Sequence, residues 1–144
     1  MQALRKVQTI VLLPGVGLLM GCSSSDCPDI GCHSAAIVQF DTATWADGEY
    51  RIVSKADGNV IACALTVQGG KPTDFSGCDS GAMLYLALGN LRMGIPAAPP
   101  TFDVELELNG QVIESHTMTP SYSDVTPYAK ECGPKCLEGH VTFE

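Results

Sequence analysis

The alternation of apolar and polar residues predicts strands along most of the chain after residue 31. In the clearest run, Phe102–Leu108, every second residue is apolar and the three residues between them are acidic. Strict alternation of this kind predicts a half-buried antiparallel strand. Asn109-Gly110 follows directly, a pair suited to the positive φ angles of a type I′ turn, and Gln111–Met118 then returns as the partner strand. We therefore predict a β-hairpin in this part of the chain.

Similar short runs, rich in Val, Ile, Leu, Tyr and Phe, occur elsewhere and are separated by glycine-containing turn signals. About seven to eight short strands without a sustained helical period predict an all-β fold, an antiparallel β-sandwich of immunoglobulin or fibronectin type. We expect the two-sided apolar runs at sheet centres, the proline-containing Arg92–Thr101 as an edge strand or extended crossover, and Ser121–Pro134 as a long loop. The other strand candidates are Ala35–Asp41, Glu49–Lys55, Val60–Gln68, Ala82–Leu88 and Gly139–Glu144, of which Val60–Gln68 and Ala82–Leu88 are the two-sided ones.

Residues 1–22 differ from the rest of the chain. The first six residues carry two positive charges and no acid, residues 7–20 are mostly apolar, and the run closes at Leu19-Met20-Gly21-Cys22. A positive start, an apolar region of about 7–15 residues and a small residue before the cut are the features of a signal peptide. An ordinary secretory signal and a transmembrane helix are the alternatives. A spanning helix needs about 20 apolar residues, which is longer than this run.

The closing tetrapeptide resembles the lipobox of bacterial lipoproteins. That resemblance implies cleavage before Cys22, a diacylglyceryl group on its sulfur and an acyl group on its new amine. Ser23 after the cysteine implies sorting to the outer membrane of a Gram-negative envelope. The organisation expected is then a signal peptide over residues 1–21, a lipidated flexible tether over 22–31 and one sandwich domain over 32–144. The mature part resembles small cysteine-containing immunoglobulin-like lipoproteins, a resemblance that implies no particular activity.

Six of the seven cysteines follow Cys22, and an even number in an exported chain predicts a disulfide framework. Cys63 lies in a predicted strand and Cys78 shortly before the next, so we predict a bond between them. Two patterns remain open for the other four. The pair Cys27 and Cys32 bonds the pair Cys132 and Cys136 if the first and last strands lie side by side and parallel; otherwise each pair closes its own local ring. Zinc bound by these four thiolates is a weaker alternative, because exported thiols oxidise.

The formal net charge of −8 excludes some partners. Removal of the signal peptide takes away Arg5 and Lys6 and leaves the mature domain more acidic still. Such a surface repels nucleic-acid phosphates and anionic lipid headgroups. Contact with the bilayer is therefore expected through the acyl chains on Cys22 alone.

No motif for acyl transfer or phosphate binding occurs, and no cofactor or metal is predicted. We expect a non-catalytic binding or envelope-structural module that holds an envelope protein or glycan through loops and strand edges. Trp45, Tyr122 and Tyr128 fall in predicted loops and are candidate contacts, with partial burial at the end of the sandwich as the alternative. The aspartates and asparagine in turns are candidate calcium ligands, but these residues are also ordinary turn formers.

The alternative function is an envelope enzyme or protease inhibitor. Glu105 and Glu107 share one strand face at about 6.6 Å by strand rise, between the separations of retaining and inverting glycosidases. Any amphipathic strand with two acids on its solvated face has this geometry. The Pro96–Pro100 loop would be the segment presented to a protease. Of the three histidines, His33 lies beside Cys32 in the tether region, and ordinary core or surface positions explain His116 and His140.

Overall fold

The computed structural model describes residues 33–79, 81–125 and 135–144. The described residues form ten strands, and none of them forms a helix long and apolar enough to cross a membrane. The strands are β1 Ala35–Phe40, β2 Gly48–Ala56, β3 Asn59–Gln68, β4 Lys71–Cys78, β5 Met83–Ala87, β6 Asn90–Pro96, β7 Phe102–Leu108, β8 Gln111–Met118, β9 Ser121–Val125 and β10 Cys136–Phe143.

Two five-stranded sheets make up the fold. The first sheet has the order β5-β6-β1-β10-β9, and the second has the order β4-β3-β2-β7-β8. Every neighbouring pair is antiparallel except β1 and β10, which run parallel. The predicted fold class, an all-β sandwich braced by a disulfide, is confirmed.

The core lies between the sheets, and alternate residues of the inner strands fill it. The predicted hairpin is present: Leu108 pairs with Gln111 across Asn109 and Gly110, whose φ angles of 50° and 83° fit a type I′ turn. The alternation in β7 also holds, since Phe102, Val104 and Leu106 are buried, Leu108 is partly buried and the acids lie on the opposite face. The largest fully buried side chains are Phe40, Phe102, Ile52, Leu91, Met93, Ile95 and Leu106.

Strand number and strand positions differ from the expectation in four places. The polar strand β4 and the strand β9 were not predicted, and β9 lies inside the segment expected to be a long loop. The strand β6 is interior rather than an edge or crossover, because Pro96 ends it and the later prolines lie beyond it. The strand β5 was expected at a sheet centre but is an edge, and its apolar side chains are therefore only partly covered.

The disulfide between Cys63 and Cys78 is confirmed and joins β3 to β4. Cys136 is disulfide-bonded as well, and its partner lies outside the described residues. The parallel pairing of β1 with β10, on which the long-range pattern depends, is present. The predicted signal peptide, the tether, Cys22, Cys27, Cys32 and Cys132 all lie outside the described residues.

Candidate functional site

The two carboxylates proposed for catalysis lie on the outer face of the second sheet and are ion-paired. The Lys55 ammonium lies 2.6 Å from Glu105 Oε1, and Arg51 Nη1 lies 3.4 Å from Glu107 Oε2. Arg51 also faces Glu107 directly in the register of β2 and β7. A glycosidase acid needs an apolar pocket to hold its proton, and here each carboxylate has a cationic neighbour instead. Their geometry is that of cross-strand ion pairs on a solvated face.

The proline loop proposed for protease binding is fastened to the first sheet. The Ala97 amide donates to the Ser34 carbonyl at 3.0 Å, and the Tyr122 hydroxyl donates to the Pro99 carbonyl at 2.5 Å. Pro99 itself is buried. Ala97 and Ala98 both have positive φ angles, 68° and 44°, which non-glycine residues rarely adopt. The loop is therefore held at two backbone positions, while Pro96, Ala97 and Pro100 are exposed.

Tyr122, expected in a loop, lies in β9, and its ring covers Gly139 of β10. Burial raises the pKa of the Tyr122 hydroxyl above its ordinary value. A Cβ on Gly139 would come within 2.8 Å of two ring carbons of Tyr122 and 3.0 Å of Pro120 Cβ. The tyrosine ring can therefore pack on β10 at this position because residue 139 has no side chain.

Replacing Gly139 with alanine is expected to lower the free energy of unfolding by about 1–3 kcal/mol, because the ring must move to admit the methyl group. Urea denaturation measures the change. Gly94→Ala is the matched control in the same sheet, since its Cβ would meet nothing closer than 3.8 Å. We expect Gly94→Ala to change stability by less than about 1 kcal/mol. Equal losses in the two variants would contradict the proposed contact with the ring.

The candidate aromatic contact Trp45 is packed at the end of the sandwich. Its ring stacks on Tyr50 with centroids 4.6 Å apart and meets Phe40 edge-on at 6.0 Å. The Tyr50 hydroxyl donates to the Ala46 carbonyl, and burial is the main cause that raises its pKa. The alternative of partial burial is thus the correct one for Trp45. Tyr128 lies outside the described residues.

The histidines and turn acids do not converge on a chemical centre. His116 and His140 each contact a glutamate two residues earlier on the same strand, at 2.8 and 2.7 Å. His33 is exposed. Among the described residues, no group of three or more His, Cys, Asp or Glu side chains is close enough to hold a metal ion. The candidate calcium ligands are Asp47, Asp57, Asn59, Asp74 and Asp79, and the first two lie at opposite ends of β2.

The structure instead assembles a site on the outer face of the first sheet, which we call the outer hollow. Its volume is about 760 Å³. Met83, Gly94 and Ile37 form one row across β5, β6 and β1, and the missing side chain of Gly94 leaves the depression between the other two. The outer hollow is lined chiefly by Ala35, Ile37, Met83, Tyr85, Gly94 and Pro96.

Polar groups surround this apolar floor. His33 and Glu138 line the outer hollow where the chain enters β1. Tyr85, Arg92 and Gln39 form the neighbouring row of residues, and Arg92 Nη2 donates to Gln39 Oε1 at 3.2 Å. An apolar depression with a few polar groups at its margin is the usual composition of a binding site.

A second hollow lies at the end of the sandwich near Ser54. It is smaller, about 280 Å³, and includes Ile61, Ile95 and Pro99 in its wall. The Ser54 hydroxyl is buried and has no hydrogen-bond partner in the structure. The outer hollow is larger and adjoins a sheet edge, and it is therefore the main candidate.

Sequence reasoning missed the outer hollow because the apolar residues of β1 and β5 were read only as core. The signal was present in Ala35 and Ile37, which alternate with core residues and so lie on the other face of β1. Comparison of the chain with family models, with curated proteins and with solved structures finds no match. The candidate site is therefore inferred from the chemistry of the residues that line it.

Proposed function

We propose that this protein is a lipid-anchored module of the bacterial cell envelope that binds a protein partner at the outer hollow without catalysing a reaction. The observation that carries the proposal is the apolar floor of the outer hollow. Met83, in its wall, is 66% exposed, and Ile37 forms its base. Exposed apolar surface that is contiguous and bordered by polar groups marks sites of interaction.

The lining favours a protein over a glycan as the partner. Sugars are held by many hydrogen bonds and by stacking on aromatic faces, whereas the outer hollow has one aromatic side chain, Tyr85, among aliphatic ones. A polypeptide supplies the apolar side chains that such a floor buries. Arg92 and Glu138 at the margin can then orient polar groups of the partner.

The anchor rests on the resemblance of Leu19–Cys22 to a lipobox, and Ser23 favours the outer membrane. Acyl chains on Cys22 supply the attachment, since stable anchoring needs more than one chain. Residues 22–31 could reach about 33–36 Å if fully extended. His33, which lines the outer hollow, follows this tether by two residues in the sequence, so the anchor joins the domain next to the candidate site.

In-cell cross-linking tests the proposal. The native lipoprotein is cross-linked in intact cells and purified, and its adducts are identified by mass spectrometry. Gly94→Leu fills the floor of the outer hollow, because a Cβ there meets only ordinary contacts. Ala64→Leu adds the same side chain to the second sheet and is the matched control. We expect a protein adduct that Gly94→Leu reduces about tenfold or more, a loss of about 1.4 kcal/mol of binding free energy, and that Ala64→Leu retains.

The same preparation reports on the anchor, through the mass of the N-terminal peptide that begins at Cys22. Acyl groups on this peptide are expected, and an unmodified cysteine would contradict the anchor alone. A glycan adduct alone, an adduct with a different protein that Gly94→Leu leaves unchanged, or no adduct with a different protein would overturn the assignment of the outer hollow to a protein partner.

A further inference from the structure

The edge strand β5 lacks the features that prevent other edges from pairing with further chains. Four strands lie at sheet edges in the described part of the chain: β4, β5, β8 and β9. The strand β4 has Lys71, Pro72 and two register irregularities, β8 has Glu114 and one irregularity, and β9 has Asp124. Charges, proline and bulges are the usual protections of an edge. The strand β5, with the sequence Met-Leu-Tyr-Leu-Ala, has none of them and pairs with β6 in regular register.

Apolar side chains are exposed along this same edge. Met83 is 66% exposed, Leu86 50% and Leu88 93%. Leu88 also has a φ of 51°, a left-handed conformation that is costly for a leucine, in the two-residue turn that joins β5 to β6. The fold thus holds a strained leucine in solvent at the end of an uncharged strand.

The hairpin geometry determines which backbone groups of β5 are open. Leu88 and Gly89 both have positive φ angles, as in a type I′ turn, and Ala87 faces Asn90 across that turn. In such a hairpin the two residues that flank the turn exchange backbone hydrogen bonds. Along the strand, hydrogen-bonded pairs then alternate with pairs whose backbone groups point away from the partner strand. The N–H and C=O groups of Leu84 and Leu86 therefore point away from β6, toward the open side.

We propose that β5 pairs antiparallel with β5 of a second copy of this protein, about a two-fold axis at Tyr85. In this register Leu84 of one protomer lies opposite Leu86 of the partner subunit, and each of these residues carries the open backbone groups. Tyr85 faces the partner's Tyr85 on the outer face, and Met83 faces the partner's Ala87. The two first sheets then form one ten-stranded sheet.

The strand is complementary to itself in side chains and in charge. Leucine meets leucine, a large side chain meets a small one, and an aromatic pair lies on the axis, all of which are favourable cross-strand pairs. Copies of an acidic chain repel each other, with a net charge of −8 per chain. Residues 81–101 contain a single charged residue, Arg92, and it is positive. This edge therefore adds no acidic residue of its own to the repulsion between two copies.

The pairing is expected to be weak in solution and effective on a membrane. Two five-residue strands bury an area at or below the low end of the about 1,200–2,000 Å² that stable complexes bury. Anchoring raises the local concentration and compensates for a small interface. This step rests on the proposed lipid anchor. Pairing also places the outer hollows of the two protomers on one continuous sheet face.

Photo-cross-linking of the full chain in cell membranes tests the pairing. Tyr85 is replaced by p-benzoyl-phenylalanine, which keeps the phenyl ring of tyrosine and carries a photoreactive benzoyl group in place of the hydroxyl. The membrane fraction is irradiated, and denatured products are analysed by mass. We expect a product of twice the chain mass in which residue 85 is joined to the β5 peptide of the partner. Val112, 55% exposed on the edge strand β8, receives the same photoprobe as a control and should yield no such product.

A charge on the edge provides the second arm of the experiment. Leu86→Lys is expected to reduce the doubled product about tenfold or more, because each lysine would face a leucine of the partner subunit. Val112→Lys is the matched control and should leave the yield unchanged. Absence of the doubled product from membrane-bound protein, or equal yields from both photoprobes, would overturn the pairing, whereas an adduct with a different protein beside the doubled product would report the partner of the outer hollow. Failure of the anchor is distinguishable, since the protein would then leave the membrane fraction.

Discussion

The variant Phe40→Ala is expected to lose about 3–5 kcal/mol of unfolding free energy, a large part of the about 5–15 kcal/mol that stabilises a typical domain. Phe40 is fully buried at the end of β1 and lies between Trp45 and Phe143, with ring centroids 6.0 and 5.3 Å away. Removing its ring leaves a cavity that neither neighbour can fill without leaving its own contacts. Urea unfolding followed by circular dichroism and by the fluorescence of Trp45, the single tryptophan of the chain, measures the loss.

Phe75→Ala is the matched control for this substitution. Phe75 lies on the edge strand β4 and is 37% exposed, so we expect its truncation to cost less than about 1.5 kcal/mol. The unfolding slope should stay the same in both variants if the transition remains two-state. A smaller loss for Phe40→Ala than for Phe75→Ala would mean that the aromatic cluster at the end of the sandwich does not stabilise the fold.

The parts of the fold that local pattern determines were predictable from the sequence. The hairpin of β7 and β8 combines strict alternation with a turn pair of matching φ preference, and both signals act over a few residues. The disulfide between Cys63 and Cys78 was predictable for a related reason, since both cysteines lie close in sequence to neighbouring strands. In each case the residues that determine the structure lie within one short segment of the chain.

The parts that depend on neighbours distant in sequence were not predictable. The strand β4 is polar and irregular, and it forms a strand because β3 offers it an edge and a disulfide partner. Conversely, β5 is apolar on both faces and still lies at an edge, since strand order is set by the whole sheet. Apolar content predicted that these residues form strands but could not predict which neighbour covers them.

The candidate site was hidden for the same reason. Ile37 is far from Met83 and Gly94 in the sequence, and only the register of three strands places the three residues in one row. Gly94 has no positive φ and no turn role that would single it out, so its importance is visible only once its two neighbours are known. By contrast, the acids Glu105 and Glu107 were easy to find in the sequence, and the structure shows both of them occupied in ion pairs.

Removing the bond between Cys63 and Cys78 should also be costly. We expect the double variant Cys63→Ala, Cys78→Ala to lose about 2–4 kcal/mol of unfolding free energy, since the cysteines are 15 residues apart and the chain-entropy model assigns about 3 kcal/mol to such a loop. Alanine is preferred to serine because Cys63 is fully buried, and a hydroxyl there would add an unsatisfied polar group. Urea unfolding measures the loss, and reduction of the wild type cannot replace the variant, because Cys136 is disulfide-bonded too.

The position of the disulfide predicts which strand loses protection from hydrogen exchange first when the bond is removed. The strand β4 is held to the second sheet by β3 alone, with two register irregularities, and the bond joins them at the last residue of β4. Hydrogen exchange should therefore accelerate most at the amides of β4, while the amides of β2, between β3 and β7, keep most of their protection. The strands β4 and β5 are edge strands of different sheets and contact each other. Loosening β4 should therefore also weaken the edge pairing that we propose for β5. Uniform acceleration across both sheets would contradict this, since it would mean that the bond acts only on the unfolded chain and not on the attachment of β4.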